Sequence, residues 1–451
     1  MAGKKKVCII GAGPCGTSAL FHFDQISDSS TEVVCYEKSD TWLGLWNFTW
    51  MTGTDEFGEP CHGGMYKHLW SNGPKEGLEY PYYTFTDHFG KAIPSFLPRP
   101  AMRDYLEGRL VKKSKSDLKR FIKWNTSVRY VRYNKKADDF TVTTEDLKTG
   151  HTVDTNFTHV IVAVGIFNTP DKPYFEGIET FPGRVIHSHD FRDATQFKGQ
   201  RVLVVGAKYS AEDIALQCLK FGAKSIVTSY RSSPMNFKWP VGIEERPIVQ
   251  TIEGKVVHFL DGSSTEVDSI ILSTGYKYKF PFMEDNLRLS SSRTLYPTSL
   301  YKGSLWLQEG NKKLFYMGVQ DQFFSFTMFD AQGLWICRYI TDTLPNKLTN
   351  CDEMKKEARQ WLQRCRNLKG NIEQIDFQAD FIKDLSDGTG YSPDAPKANK
   401  FFHKWDSDKK ANIVTYRDQQ FKSLYSGTET APCTKPWFQN FDDSISQFIK
   451  R

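Results

Sequence analysis

The sequence predicts an α/β protein with two parallel-stranded sheets, the second inserted into the chain that builds the first. Three observations carry this. The apolar runs at 7–10 and 201–205 each meet a glycine turn and then a helical pattern. A second strand-like run follows in each case, at 32–36 and 225–230, and leads into a charged residue or ends in one. Later runs at 160–164 and 269–272 are rich in Val and Ile and lead into Gly165 and Gly275, as a strand does when it returns to its own sheet.

In the first unit the strand is followed by Gly11-Ala-Gly13-Pro-Cys15-Gly16. Gly11 permits the tight turn, Gly13 lets a pyrophosphate approach the backbone, and Gly16 lets helix and strand pack closely. The helix that starts here offers amide donors and a positive dipole end to the phosphates. Glu37, twenty-six positions past Gly11, stands where a ribose-binding carboxylate belongs. Strand, glycines, helix and acid together define a dinucleotide site of the Rossmann type.

Residues 62–76 form a polar, turn-rich stretch, and so long an irregular connection in a compact protein is functional or mobile. Within it, Asn72-Gly-Pro reads equally as a plain turn and as an amide beside a cofactor, able to donate and to accept. Residues 101–108 read as a helix, and 122–132 and 140–144 as strands of a meander.

The second unit keeps only Gly206 of the three glycines, with Lys208 and Ala211 in the other places. Ala211 is small enough for close packing, and a helix N-terminus still faces the loop, with Tyr209 and Ser210 at its start. The strand at 225–230 leads into Arg231 and not an acid. An acid there favours a free ribose 2′-hydroxyl; an arginine favours a 2′-phosphate, hence NADP, with Ser232 adding a hydroxyl. A hairpin is predicted at 256–263, turning at Asp261-Gly262. The expected division is 1–169 for the first unit, 170–277 for the inserted one, and 278–451 for the rest of the first and a C-terminal region.

Composition argues against other classes. The net charge is +6, with no like-charge block longer than Lys4-Lys5-Lys6, which suits bound phosphates and speaks against a nucleic-acid partner. Nine cysteines, an odd number without Cys-x-x-Cys, point to a reducing compartment, the cytoplasm. Gly11 breaks the first apolar run too early for a secretory signal, and no stretch reaches the roughly 18 apolar residues of a membrane span. His62, His68 and His187 lack metal-ligand spacing, so no metal is expected. The 14% aromatic content suits large apolar pockets or a heavily packed core, without choosing between them.

Just before the second glycine turn stands Phe181-x-Gly183-x-x-x-His187-x-x-x-Phe191. With a dinucleotide signature on each side, this spacing resembles the fingerprint of class B flavin-dependent monooxygenases. Phe at the last position resembles the N- and S-oxygenating branch. Residues 66–76, 209–213, 230–239, 315–322 and 328–332 extend the resemblance to the soluble trimethylamine monooxygenase-like group. One departure is Leu43, which stands where the first glycine of a Gly-Gly-x-Trp turn is usual, although Gly44 and Trp46 are present.

The resemblance implies FAD in the first unit and NADPH in the second. NADPH would reduce the flavin, O2 would add to it as a C4a-hydroperoxide, and the distal oxygen would pass to an amine nitrogen or sulfide sulfur. Oxygenation of a ketone or of indole, and uncoupled NADPH oxidation, are the alternatives. Asn72 is expected at the reacting edge of the flavin, Tyr209 as the residue that fixes NADP, Val128 near the adenine, Gln320 at the flavin, and Arg417 as a second phosphate contact. Cys15, Lys38, Leu45, Trp46, His62 and Trp70 complete the expected cofactor contacts, Trp46 being equally suited to core. Phe323, again equally suited to core, and Trp405, at the site mouth, are expected to face substrate. His187 is expected to be a gating residue in a linker that couples the two units. A homodimer is also implied.

Overall fold

The apolar runs become the centres of two sheets in a computed structural model that describes residues 4–291, 293–308, 311–433 and 435–446. The first sheet has seven strands, in the order Leu300–Tyr301, Leu305–Trp306, Leu314–Tyr316, His159–Val162, Lys5–Ile10, Thr31–Tyr36 and Ile122–Lys123. The last five are parallel and the first two antiparallel. The second sheet has five parallel strands, in the order Ile243–Arg246, Ser225–Ser229, Arg201–Val205, Ser269–Leu272 and Arg184–His187. Its strands all fall between the two blocks of sequence that build the first sheet.

The two sheets repeat one local construction. In register, Ile10 faces Val162 and Val205 faces Leu272. The Ala163 amide donates to Ile10 O at 2.9 Å, and the Ser273 amide to Val205 O at 2.8 Å. Gly11 and Gly206 follow directly, at φ +97° and +144°. A Cβ on Gly11 would lie 2.8 Å from Ala163 O, and one on Gly206 2.4 Å from Ser273 O. Both glycines therefore sit where two strand ends crowd together and the strand order reverses. Open α/β sheets bind their ligands in the crevice at such a point.

Two departures from the glycine patterns are now accounted for. Lys208 is extended, at φ −139° and ψ −176°, so no glycine is demanded there, and Ala211 is buried as a small packing residue. Leu43, in contrast, takes the left-handed conformation that its usual glycine would, at φ +71° and ψ 7°. That costs about 1–2 kcal/mol. Its amide donates to Ala12 O at 2.8 Å and its side chain is 1% exposed, and burial of a leucine offsets the strain by a similar amount, about 1.5–3 kcal/mol.

The fingerprint stretch is not a linker. Arg184–His187 is the edge strand of the second sheet, parallel to Ser269–Leu272. Gly183 passes so close to the neighbouring chain that a Cβ would lie 2.3 Å from Asp268 O. Phe181 enters the core beneath that sheet, while Phe191 is buried against Tyr66 at 5.1 Å and Phe197 at 5.8 Å. The hairpin forms between Val256–Phe259 and Ser264–Glu266, and the meander is Thr126–Asn134, Asp139–Asp146 and Thr152–Phe157.

The helices are α1 (Pro14–Ile26), α2 (Phe85–Phe89), α3 (Arg99–Lys113), α4 (Tyr209–Lys220), α5 (Ser325–Ile340), α6 (Cys351–Arg366), α7 (Asn371–Ser386) and α8 (Ala395–Ala411). Proline at the first position of α1 wastes no hydrogen bond, because that amide has no partner within the helix. α1 packs on α5 so tightly that a Cβ on Gly333 would lie 3.1 Å from the Ser18 backbone. No described helix is long and apolar enough to cross a membrane.

Candidate active site

The first glycine loop is open on one side and closed on the other. A Cβ on Gly16 would lie 1.9 Å from Gly11 O, so this glycine is required by helix–strand packing. A Cβ on Gly13, the residue before α1 at φ −67°, would meet nothing within 4 Å. That open face lies at the N-terminus of α1. Glu37 is buried at the end of its strand. Its Oε2 accepts from the Ala12 amide at 2.7 Å, and Oε1 accepts from Ser39 N at 2.9 Å and Ser39 Oγ at 2.6 Å. A carboxylate has about four accepting sites, so one remains for a ribose hydroxyl. An open backbone face, a helix N-terminus and a prearranged carboxylate fit a dinucleotide.

The neighbours are mixed. Cys15 is buried and burial pushes its thiol up, which leaves it inert. Lys38 donates to Pro60 O at 2.5 Å, and His62 is exposed. Leu45 and Trp46 are half-buried in the turn Gly44–Trp46, with Trp46 5.7 Å from Phe326. Val128 packs in the same apolar cluster as Ile10 and Tyr36. In the second loop, Gly206 leads to Tyr209, half-buried, and Ser210, exposed, at the N-terminus of α4. Arg231 and Ser232 are exposed beside the end of the strand Ser225–Ser229.

Asn72, Tyr209, Phe323 and Trp405 come from four separate segments and meet. The Trp405 indole N–H donates to the Asn72 carbonyl. Its ring lies 6.1 Å from Tyr209, 6.3 Å from Phe323 and 6.2 Å from Phe402. Asn72 itself is exposed, while a Cβ on nearby Gly77 would lie 2.4 Å from the Phe402 ring. Lys409, one turn after Trp405 on α8, holds its ammonium 4.5 Å from the Trp405 ring centre and 5.1 Å from that of Tyr209, and pairs with Glu212 of α4.

Four expectations are corrected by placement. Trp405 is 3% exposed, so it is a wall behind Asn72 and not a group at the mouth. Arg417 is 1% exposed and paired with Asp213 at 2.6 Å, so its charge is already met inside the protein and does not face a phosphate. The Gln320 amide is spent within the core, donating to Gly303 O at 2.7 Å and accepting from Gln332 at 3.1 Å. Trp70 is buried, and its N–H donates to Asp443 at 2.5 Å.

His187 is fully buried at the end of its strand, where Nδ1 accepts from the His189 amide at 3.0 Å and the ring lies 5.3 Å from Tyr276. Burial, with His189 and Lys172 nearby, pushes its pKa down to about 4, so it is neutral at pH 7. Five residues on, Arg192 reaches the segment between the first glycine loop and Asn72, donating to Met51 O at 2.8 Å and Gly63 O at 2.7 Å. Arg192, Asp213, Glu212 and Lys409 were not singled out from sequence. Lys409 stands four residues from Trp405 on one helix face, but a lysine at that spacing reads as solvated surface. Among the described residues no group of three or more His, Cys, Asp or Glu side chains could hold a metal ion.

Comparison with known proteins fits this geometry. A family model described as "Flavin-binding monooxygenase-like" matches residues 4–239 and 240–411. The chain belongs to that family. This flavin-binding monooxygenase is 45% identical over 450 residues to the trimethylamine monooxygenase of Methylocella silvestris, covering 99% of this chain and 98% of the relative. It superposes on the crystal structure of Tmm from a Pelagibacter strain with a TM-score of 0.95 at 42% identity, covering 98% of this chain and 100% of that one. The S-allyl-L-cysteine S-oxygenase of Allium sativum shares the fold, with a TM-score of 0.79 at 23% identity over 92% of this chain and 95% of that one.

Proposed function

We propose that this chain is an NADPH- and O2-dependent monooxygenase that converts trimethylamine to trimethylamine N-oxide. The observation that carries this reading is the 45% identity, across 99% of the chain, to the Methylocella silvestris trimethylamine monooxygenase. Bound FAD, reduced by NADPH, supplies the activation of O2. The chain's own residues bind, orient and keep the site dry.

Gly11, Gly13 and Gly16 would hold the FAD pyrophosphate at the N-terminus of α1, and Glu37 the ribose. Cys15, Lys38, Leu45, Trp46, His62 and Val128 would surround it. Gly206, Tyr209 and Ser210 would hold NADPH, with Arg231 and Ser232 on the 2′-phosphate. Asn72 has an exposed amide on a loop tied by its own carbonyl to Trp405, which suits it to orient the reacting edge by hydrogen bonds. The rings of Tyr209, Phe323, Phe402 and Trp405 would exclude water from that edge. The substrate reacts through a nitrogen lone pair, so it must enter as the free base.

We further propose that residues 1–169 and 278–451 form the flavin unit with the C-terminal region, that 170–277 form the NADPH unit, and that the enzyme works as a cytoplasmic homodimer. All nine cysteines are unpaired, which supports the compartment. Light scattering at the dimer mass checks the assembly.

The test of the activity is NADPH consumption with trimethylamine, a sulfide, cyclohexanone and indole, with peroxide measured alongside. The expected result is trimethylamine N-oxide formed in step with NADPH. Lactone or indigo as the main product, or peroxide accounting for the NADPH, would overturn the reading. Arg231→Ala should raise the KM for NADPH about 10–100-fold, the worth of a charge-assisted contact, and leave that for NADH unchanged. Equal changes for both would remove Arg231 from the 2′-phosphate.

A further inference from the structure

Asn72, Tyr209 and Trp405 belong to a loop, to α4 and to α8, and their mutual placement depends on what ties those elements together. The ties are buried and charged. Near the start of α4, Glu212 and Asp213 are 4% and 5% exposed. Glu212 pairs with Lys409 of α8, itself 4% exposed. Asp213 pairs with Arg417 at 2.6 Å and also accepts from the Tyr66 hydroxyl, and Tyr66 lies six residues before Asn72. Arg417 in turn donates to Ser71 O at 3.3 Å. Lys409 lies against the rings of both Trp405 and Tyr209. The helix that follows the second glycine loop is thus pinned by adjacent carboxylates to the C-terminal region and to the loop of Asn72.

Two like charges side by side on one buried turn cost much unless each meets its own opposite charge. Apolar residues would hold the same elements together with no such requirement. What the charges add is direction, because an ion pair between short-range partners fixes one register of α4 against α8 where apolar surfaces slide. We infer that Glu212–Lys409 and Asp213–Arg417 are a positioning joint that sets the NADPH-binding helix against the flavin site. None of the four residues touches a reacting atom; they act through Tyr209, Trp405 and Asn72. The inference rests on the proposed monooxygenase reading.

The test uses the FAD-loaded enzyme with Lys409→Met and with the double variant Glu212→Met/Lys409→Met. The single variant leaves Glu212 buried and unpaired, and it should lose thermal stability as well as coupling. The double variant removes the orphaned charge and should recover the parent melting temperature. A joint that positions predicts that coupling does not return with it. Peroxide released per NADPH should stay about tenfold above the parent, as follows when a reacting group is displaced by a fraction of an ångström. Amide exchange should be faster at 209–213 and 66–72 in the double variant, a readout independent of turnover. A double variant with parent stability, parent exchange and parent coupling would overturn the inference. A parent that forms no N-oxide would instead sink the proposed substrate, and the exchange comparison would still decide the joint.

Discussion

Gly13→Ala is expected to fold as the parent does and to lose its flavin, while Gly16→Ala is expected to fail in folding first. The two glycines lie three residues apart in one loop, and the physical demands on them differ. At Gly13 the backbone is already at φ −67°, which any residue adopts, and an added methyl meets no protein atom within 4 Å. The methyl does occupy the face through which a pyrophosphate reaches the loop. FAD affinity should fall about 100-fold, roughly 2.7 kcal/mol. At Gly16 the methyl would lie 1.9 Å from the carbonyl of Gly11, so helix and strand must part, and overpacking of this kind costs about 1–3 kcal/mol or more. Thermal unfolding of flavin-free protein and the flavin absorbance retained after gel filtration separate the two. Full flavin retention by Gly13→Ala would remove that face from the FAD site.

The same contrast marks what was legible in the sequence. Strand, turn and helix are written locally at 7–16 and again at 201–211, because a buried parallel strand must be apolar and its turn must be small. The turn at Gly206 is legible although its two companion glycines are missing, since the backbone at Lys208 is extended and needs none. The fingerprint stretch looks like a linker in the sequence and is the edge strand of a sheet. Its strand, Arg184–His187, is four residues long with its first two residues exposed and its last buried, too short for periodicity to speak. Helix α8 was hidden for another reason. Its buried stripe is Ala398, Phe401, Phe402, Trp405 and Lys409, and the last member is a lysine that reads as solvated surface. Arg417 failed in the same way. Long-range ion pairs leave no trace in a single sequence, so residues that carry charge into the core look like residues that carry it to a ligand.

The largest loss of stability is expected from Asp330→Ala. Asp330 is fully buried on α5, where it accepts from His22 of α1 at 2.7 Å and from the Tyr82 hydroxyl at 2.9 Å, and pairs with Arg109 of α3. The guanidinium of Arg109 is itself 1% exposed, between the rings of Phe21 at 4.1 Å and Tyr80 at 4.2 Å. Alanine would leave that cation buried without its counter-charge, at a cost of about 3–5 kcal/mol. Burial alone would push the Asp330 carboxyl up, but Arg109 and His22 outweigh it and hold the pKa below the ordinary value. A carboxylate depressed on folding contributes its stability in full above the unfolded pKa, near 4, and loses it as pH falls through the folded value. The gap between parent and variant urea midpoints should therefore be widest at neutral pH and shrink below about pH 4. A difference in unfolding free energy under about 1 kcal/mol at pH 7 would show that Arg109 finds other partners. The consequence reaches the cofactor, because His22 lies on the helix that Gly13 caps and whose first turn carries Gly16. Loosening α1 at its middle should release flavin at a lower temperature than in the parent. Asp330→Leu combined with Arg109→Met, which leaves no orphaned charge, should restore most of that temperature.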